Sequence, residues 1–261
     1  MIATYPEVAH TRRMDDEPSM NAPSHQLAGK VVMVTGSVGN LGLSTALELQ
    51  KLGAKTVLVD RSSERLQEHY PGLINSPDHF LAGGVDLANA DSLLTTVKAA
   101  VSRFGRIDSL VNTVGAWRGG KPAHEAELAD WDFLFGVNVR TTLLCCRAVI
   151  PQMLQQGRGM IVNVASRDGL QGSAGYSAYS ASKSAVLRLT ESMAAELKNS
   201  NINVNCIMPG TIDTPQNHKG IPNADFTKWV APEAIAEVIL FLISDGARAI
   251  NGAAIPVYGK G

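Results

Sequence analysis

From Lys30 onward, short apolar runs alternate with longer stretches in which apolar residues recur every three or four positions. The short runs are Val31–Thr35, Thr56–Asp60, Phe80–Val85, Ser109–Asn112, Met160–Val164, Ile202–Met208 and Ala253–Val257. Their length and near-continuous apolar character are those of strands buried on both faces. The longer stretches, Leu41–Leu52, Asp91–Phe104, Asp130–Gln155, Ser177–Leu197 and Pro232–Ile243, have the spacing of helices with one buried stripe. Regular alternation of strand and helix marks βαβ units, whose strands run parallel. The pattern predicts an α/β fold over residues 29–261: a single doubly wound domain with a mostly parallel, seven-stranded sheet and helices on both faces. No internal repeat or linker interrupts it.

Residues 1–28 depart from this pattern. Glu7, Arg12, Arg13, Asp15, Asp16 and Glu17 are interspersed with prolines, and no apolar core stretch of a secretory signal is present. The segment reads as a flexible N-terminal leader. The late apolar run at Val238–Ile243 is too short to span a bilayer. A soluble, cytoplasmic protein without a membrane partner is expected.

Composition narrows the choice of partner. A chain of 261 residues with 45% hydrophobic and 18% charged content suits one large domain with a sizeable core. Lys and Arg number 23 against 24 Asp and Glu, a net charge of -1, which removes the electrostatic case for nucleic acid and favours a small-molecule substrate. Cys145 and Cys146 are adjacent and would project differently from a helix, so with Cys206 they read as small buried residues in a reducing compartment. The six histidines form no close ligand pair, and no metal site is expected.

The candidate chemistry lies in Ser166–Lys183, SRDGLQGSAGYSAYSASK. In a helix over Ser177–Leu197, Tyr179 and Lys183 stand at i and i+4 on one face. A phenol titrates near ~10 in water, and a fixed ammonium beside it lowers that value, which would make Tyr179 an acid/base group near neutral pH. Ser166 follows the apolar run Met160–Ala165, at a strand end, where such folds place reacting groups.

A second motif is the first strand-to-helix turn, Thr35-Gly-Ser-Val-Gly-Asn-Leu-Gly42. Glycines let such a turn approach a pyrophosphate, which is met by the free N–H groups of the next helix. Gly36, Ser37, Asn40, Leu41 and Gly42 are the candidate contacts. Asp60 ends the second strand, where a carboxylate accepts hydrogen bonds from the adenine ribose and repels a 2′-phosphate, favouring NAD. Arg61 follows it at once and leaves NADP open.

The spaced serine, Tyr179 with Lys183, the glycine-rich turn and the Pro-Gly turn after Met208 together resemble the short-chain dehydrogenase/reductase family, over about Gly29 to Gly261. The resemblance implies a Rossmann fold and an NAD(P)-dependent oxidoreductase. Hydride would pass between nicotinamide and a small carbonyl compound or secondary alcohol. Tyr179 would exchange the proton, Lys183 would lower its pKa and hold the nicotinamide ribose, Ser166 would bond the reacting oxygen, and the Asn138 backbone would hold a relay water. It further implies Asp86 and Leu87 at the adenine, Asn112 and Gly115 beside the nicotinamide ribose, and Ile212 and Thr214, after the Pro209-Gly210 turn, at the carboxamide.

Two positions depart from the family pattern. Asn40 replaces the middle glycine, a change that its tolerance of φ > 0 could absorb. Thr113 and Val114 stand where the family has Asn and Ala. The long helices Asp130–Gln155 and Ser177–Leu197 resemble those that pair subunits, so a homotetramer or homodimer is implied.

Trp117, Gln171 and Tyr176 are candidate substrate contacts, with Arg118, Arg167, His218 and Trp229 nearby. Few residues separate Thr214 from Pro232, which implies a short lid and a small substrate or an open site. The segment Asp213–Trp229 also looks similar to the dihydropteridine reductase branch, which lacks the serine. A dinucleotide-binding regulatory protein without turnover, and an epimerase or dehydratase of the extended relatives, are the other readings.

Overall fold

The computed structural model describes residues 27–261. Seven strands form one parallel sheet in the order β3-β2-β1-β4-β5-β6-β7. They are β1 (Val31–Thr35), β2 (Lys55–Val59), β3 (His79–Ala82), β4 (Ser109–Asn112), β5 (Gly159–Val164), β6 (Ile202–Pro209) and β7 (Ala254–Val257). The helices are α1 (Asn40–Lys51), α2 (Ser63–His69), α3 (Ala90–Phe104), α4 (Leu128–Leu134), α5 (Thr141–Gln156), α6 (Ser177–Leu197), α7 (Pro215–Gly220) and α8 (Pro232–Leu242). Strand order reverses between β1 and β4, which opens a crevice at the carboxyl edge of the sheet.

Alternate residues of each strand feed two apolar layers. Val31, Met33, Val57 and Val59 face one layer with Leu93, Val97, Cys146, Val149 and Met153 of α3 and α5. Val32, Val34 and Leu58 face the other with Ala46 and Leu49 of α1 and Ile235 and Ile239 of α8. Each Val, Leu, Ile or Met among them, fully removed from water, stabilises the fold by about 1.5–3 kcal/mol. Both faces of the central strands are therefore spent on packing, which is why their sequences read as unbroken apolar runs.

The expected strands and the five expected helices all form, with ends shifted by a few residues; the largest shift is at β3, which stops at Ala82 rather than Val85. Gly83 and Gly84 end that strand, as Gly83 lies against Ser63 of α2. Two helices lie outside the sequence expectations, α2 and α7. Each is short, and each is started by a side chain: the Ser62 hydroxyl accepts from Arg65 N–H and the Thr214 hydroxyl from Asn217 N–H.

The helix expected over Asp130–Gln155 is a longer run, α4 then α5, joined by a π-helical turn at Phe135–Arg140. By length and composition this run, Leu128–Gln156, could cross a membrane. Here Cys145, Cys146, Val149 and Met153 of its inner face are buried in the core. All three cysteines are free and buried, and burial pushes the Cys146 thiol up to about 12 and the Cys206 thiol up to about 11.

Most of the leader expected over residues 1–28 lies outside the described residues. Leu27, assigned to that leader from sequence, is buried in the layer that holds α1 and α8. The packed domain therefore reaches back past Gly29.

Candidate active site

Five strand ends deliver the candidate residues to one edge. Gly36 follows β1, Asp60 follows β2, Asn112 closes β4, Ser166 follows β5 and Pro209 closes β6.

The first turn is tight. Gly36 has φ +68°, and its N–H and that of Ser37 both donate to the Val59 carbonyl, at 2.8 and 3.2 Å. A Cβ on Gly42 would lie 2.2 Å from the Gly36 carbonyl oxygen, so the first turn of α1 rests directly on the backbone. The buried Tyr70 hydroxyl donates to the Ser37 carbonyl at 2.5 Å and supports the turn from below. Burial, with the Asp60 charge second, pushes that phenol well above its ordinary range.

Asn40 behaves differently from the expectation. It is the first residue of α1 and is not among the residues with positive φ, because Gly39 closes the turn one residue earlier as the helix cap. Its amide donates to Gln216 of α7 at 3.2 Å. Leu41 is buried in the core.

The Asp60 carboxylate is held by two backbone amides, Ser62 N–H at 3.2 Å and Val38 N–H at 3.4 Å. Arg61 is exposed and makes no ion pair among the described residues. Arg65, which sequence reasoning passed over, donates to the Val38 carbonyl at 3.1 Å, so a guanidinium flanks the same turn. Only the discovery of α2 could have flagged it.

Asp86 accepts from Ala88 N–H at 2.9 Å, while Asn89 caps α3 by accepting from Asp91 and Ser92. Leu87 is buried. The Asn112 side chain is used inside the sheet, donating to Asn163 at 2.9 Å; Asn163 in turn donates to Thr190 of α6 at 3.0 Å. Its side chain is thus committed to joining β4, β5 and α6. Thr113, in its departure from the family pattern, donates to the Thr35 carbonyl at 2.6 Å and ties β4 to the first turn.

Gly115, Asn138 and Lys183 converge. A Cβ on Gly115 would lie 3.1 Å from both Asn138 Oδ1 and Lys183 Nζ. The π-helical turn carries the buried Asn138, whose side chain pairs with both backbone groups of Ala116, at 2.8 and 3.1 Å, and donates to Ser182 Oγ at 3.0 Å. Such turns insert one extra residue and reset the face that side chains present, which a plain 3.6-residue reading cannot anticipate. The Asn138 carbonyl accepts from Thr142 Oγ1 at 2.8 Å.

Ser166 caps the 3-10 turn Arg167–Gly169, accepting from Asp168 N–H at 3.2 Å. Tyr179, half-buried, and Lys183, 4% exposed, follow on α6 as expected. Their electrostatics differ from the expectation. Burial raises the Tyr179 phenol above its ordinary value; the Ser166 hydrogen bond lowers it, and Asp168 and Tyr176 raise it further. Lys183 is not among the groups that set it; its ammonium donates to the Val164 carbonyl at 2.9 Å.

Burial pushes the Lys183 ammonium down from 10.5 to about 8. An unfolded chain then binds more protons than the folded one between these values, so this contribution to stability rises with pH from about 8 to 10.5. Below about 8 both states are protonated, and the buried charge costs on the order of 3 kcal/mol. The buried thiols, raised by burial, act with the opposite sign in parent and variant alike, so the gain is read as a difference: between about pH 8 and 10 the urea midpoint of the parent is expected to rise relative to that of a Lys183→Met variant. An equal gain in the variant would assign it to another group. Tyr179, with its raised value, has the opposite sign and acts only above its ordinary range.

Gly210 N–H donates to the Val257 carbonyl at 3.1 Å, which seats the Pro209-Gly210 turn against β7. Ile212 bridges Val230, and Thr214 is buried. The segment between them folds back as a flap in which His218 stacks on Phe226 at 3.9 Å and accompanies Asp213 at 2.5 Å. Trp229 leans on both rings. Trp117 and Tyr176 meet edge to face at 5.4 Å, and Gly120 N–H donates to the Gly175 carbonyl, so the two loops form one rim. Gln171 is exposed, and the rest are turned elsewhere: Arg118 to Asp130 and the Phe133 ring, Arg167 over Tyr258. A cavity of about 510 Å³ opens between α1, α7 and α8, and its lining includes neither Ser166, Tyr179 nor Lys183.

A Cβ at Gly36, Gly42 or Gly115 would run into other parts of the chain, so glycine is what lets the β1–α1 turn and the loop after β4 pack this closely; a glycine-tight turn between a strand and a helix is what a dinucleotide pyrophosphate requires, and the residues present fit that group. Comparison with known proteins agrees. The sequence pattern of the family described as short chain dehydrogenase matches residues 30–224. The 3-oxoacyl-(acyl-carrier-protein) reductase FabG of Thermotoga maritima is 34% identical over 245 residues, 90% of this chain and 98% of that one. The crystal structure of an NAD+-bound xylitol dehydrogenase superposes with TM-score 0.82 at 28% identity, over 90% of this chain and 99% of that one. A structure of ElxO with NADP bound superposes with TM-score 0.81 at 25% identity, over 88% and 98%.

Proposed function

The chain belongs to the short-chain dehydrogenase family, and on that premise we propose that Ser166, Tyr179, Lys183 and Asn138 are its proton-handling site. It is an NAD(P)-dependent oxidoreductase acting on CH–OH and C=O groups of small molecules. The regulatory and pteridine readings are not favoured, since its relatives are reductases and dehydrogenases of alcohols and ketones. The observation that carries the site assignment is the convergence of Gly115, Asn138 and Lys183 beside Ser166 and Tyr179.

Bound in the crevice, the nicotinamide supplies or accepts the hydride. The chain handles the proton. Tyr179, kept neutral through physiological pH by burial, donates its phenol proton to the substrate oxygen during carbonyl reduction. Ser166 Oγ bonds the same oxygen and orients it. The Lys183 ammonium, held at the Val164 carbonyl, would serve as a donor to the ribose, while Asn138 ties the Ala116 backbone to Ser182, one residue before Lys183. A raised Tyr179 favours reduction at neutral pH and oxidation at alkaline pH.

For the cofactor, NAD is the preferred reading. Asp60 is already fixed by two amides at the end of β2, where the ribose hydroxyls of a dinucleotide lie in this fold. Arg61 and Arg65 supply the charge that would serve NADP, and the two liganded relatives carry one cofactor each. Gly36, Ser37, Asn40, Leu41 and Gly42 would hold the pyrophosphate; Asp86 and Leu87 the adenine; Asn112 and Gly115 the ribose; Pro209, Gly210, Ile212 and Thr214 the carboxamide end. The Asn112 contact would have to be through its backbone, since its amide is engaged in the sheet.

Trp117 and Tyr176 form the substrate rim. A second copy of the chain is the partner proposed for Leu143 and Leu154 of α5 and Leu128 and Trp131 of α4, apolar yet exposed, in a homodimer or homotetramer. A cytoplasmic location is proposed with it.

The test is binding and turnover with NADH and NADPH across small ketones, quinones, quinonoid dihydropterin and ketoacyl thioesters. Turnover is expected, with NADH preferred by about tenfold or more in kcat/KM and the preference lost in Asp60→Ala. Tight cofactor binding without turnover of any compound would overturn the site assignment, and an NADPH preference would overturn the role given to Asp60.

A further inference from the structure

Asp168 lies two residues after Ser166, and the proton path above does not use it. Its position is rigid. Its N–H donates to Ser166 Oγ at 3.2 Å, Oδ1 accepts the Ser173 hydroxyl at 2.8 Å, and Oδ2 lies 3.5 Å from the Ser166 hydroxyl. The turn that carries it is pinned to α6, where Ser184 Oγ donates to the Gly169 carbonyl at 2.6 Å. A Cβ on Gly169 would stand only 3.0 Å from the Lys183 carbonyl.

The charge of this half-buried carboxylate has no ion-pair partner among the described residues. Arg167 leans over the Tyr258 ring at 5.5 Å, Arg118 bonds Asp130 at 2.7 Å, and the Lys183 ammonium faces Val164. An ionised carboxylate only accepts hydrogen bonds, and two serine contacts leave lone pairs unused. Such a group rewards a nearby hydroxyl donor with a charge-assisted bond and penalises a nearby anion.

We propose, resting on the hydride-transfer reading, that Asp168 is a specificity-determining residue: it selects uncharged substrates with a hydroxyl on the carbon next to the reacting one and rejects those with a carboxylate there. With the reacting oxygen between Ser166 and Tyr179, the neighbouring substituent meets Asp168. A hydroxyl donates to it. A carboxylate faces like charge that no ion pair offsets among the described residues. The same charge already reaches the phenol, since Asp168 is one of the groups that raise Tyr179; the others facing it are Ser166 and Tyr176, with Lys183 on the same helix.

The test uses the full chain and matched probes on two scaffolds: hydroxyacetone, pyruvate and butanone, and 2-hydroxyacetophenone, phenylglyoxylate and propiophenone. The parent is expected to favour the hydroxyketone over the keto acid by about tenfold or more in kcat/KM. Asp168→Asn, which can still accept from Ser173, should lose that ratio by gaining keto acid turnover, and Asp168→Glu should restore it. In Asp168→Asn the alkaline rise of 1,2-propanediol oxidation should move to lower pH by about half a unit to one unit, a shift that a residue merely bracing the loop would not cause.

An unchanged ratio in Asp168→Asn, with turnover still abolished by Tyr179→Phe, overturns the proposal and leaves the hydride-transfer reading standing. Turnover of none of the six probes also overturns it, since hydroxyketones are its own expected class, while the wider panel above still judges that reading.

Discussion

A Tyr179→Phe enzyme is expected to lose about 10²–10⁴-fold in kcat while its dinucleotide affinity changes by less than about threefold. The substitution keeps the ring and removes one hydroxyl. That hydroxyl interacts with Ser166, and the half-buried residue lies at the carboxyl edge of the sheet, outside the two apolar layers that hold the fold together. A proton donor poised at the reacting oxygen acts mainly in the transition state, so kcat falls and ground-state binding does not. Single-turnover rates and cofactor fluorescence titration separate the two. Near-normal turnover would remove Tyr179 from the mechanism. In the parent the pH profile follows from the raised phenol: reduction should hold through neutral pH and decline only in alkali, and oxidation should climb towards alkali.

The second large effect is expected at Gly42. In Gly42→Ala the new methyl would sit 2.2 Å from the Gly36 carbonyl oxygen and 2.9 Å from Thr113 Oγ1. Neither neighbour is free to give way. Gly36 is held by its bond to Val59, and Thr113 by its bond to Thr35. The turn must open, at a cost of about 1–3 kcal/mol in stability. Because the same amides line the crevice, cofactor affinity should fall by about a hundredfold. Gly72→Ala, where a Cβ meets nothing within 4 Å, is the control expected to leave both intact. Equal losses in the two variants would show that the close approach at Gly42 is not what shapes the site.

The parts of the site legible in the sequence were those carried by local periodicity. Helix α6 begins and ends at the expected residues, so the i, i+4 spacing of Tyr179 and Lys183 could be read directly. The glycine turn was legible because a strand preceded it and an amphipathic helix followed. The short helices α2 and α7 were not, since each buries too little apolar surface to leave a period. Asn163 and Thr190 were overlooked because their partners come from three different elements. Asn40 was expected to be accommodated by its tolerance of φ > 0, a tolerance the turn does not use, since Gly39 caps the helix one residue earlier.

The sequence by itself determined the order of elements, the parallel sheet and the set of residues gathered at its carboxyl edge, because strand and helix periods and turn chemistry are local properties. Tertiary structure alone decided how those residues behave. Spacing placed an ammonium beside a phenol and implied a lowered Tyr179; the folded chain buries both and turns Lys183 towards Val164, so the phenol rises and the ammonium falls. It also set Asp168 beside Ser166 with no ion-pair partner among the described residues. Desolvation and charge pairing depend on everything packed around a group, and that surrounding is assembled from segments far apart in the chain.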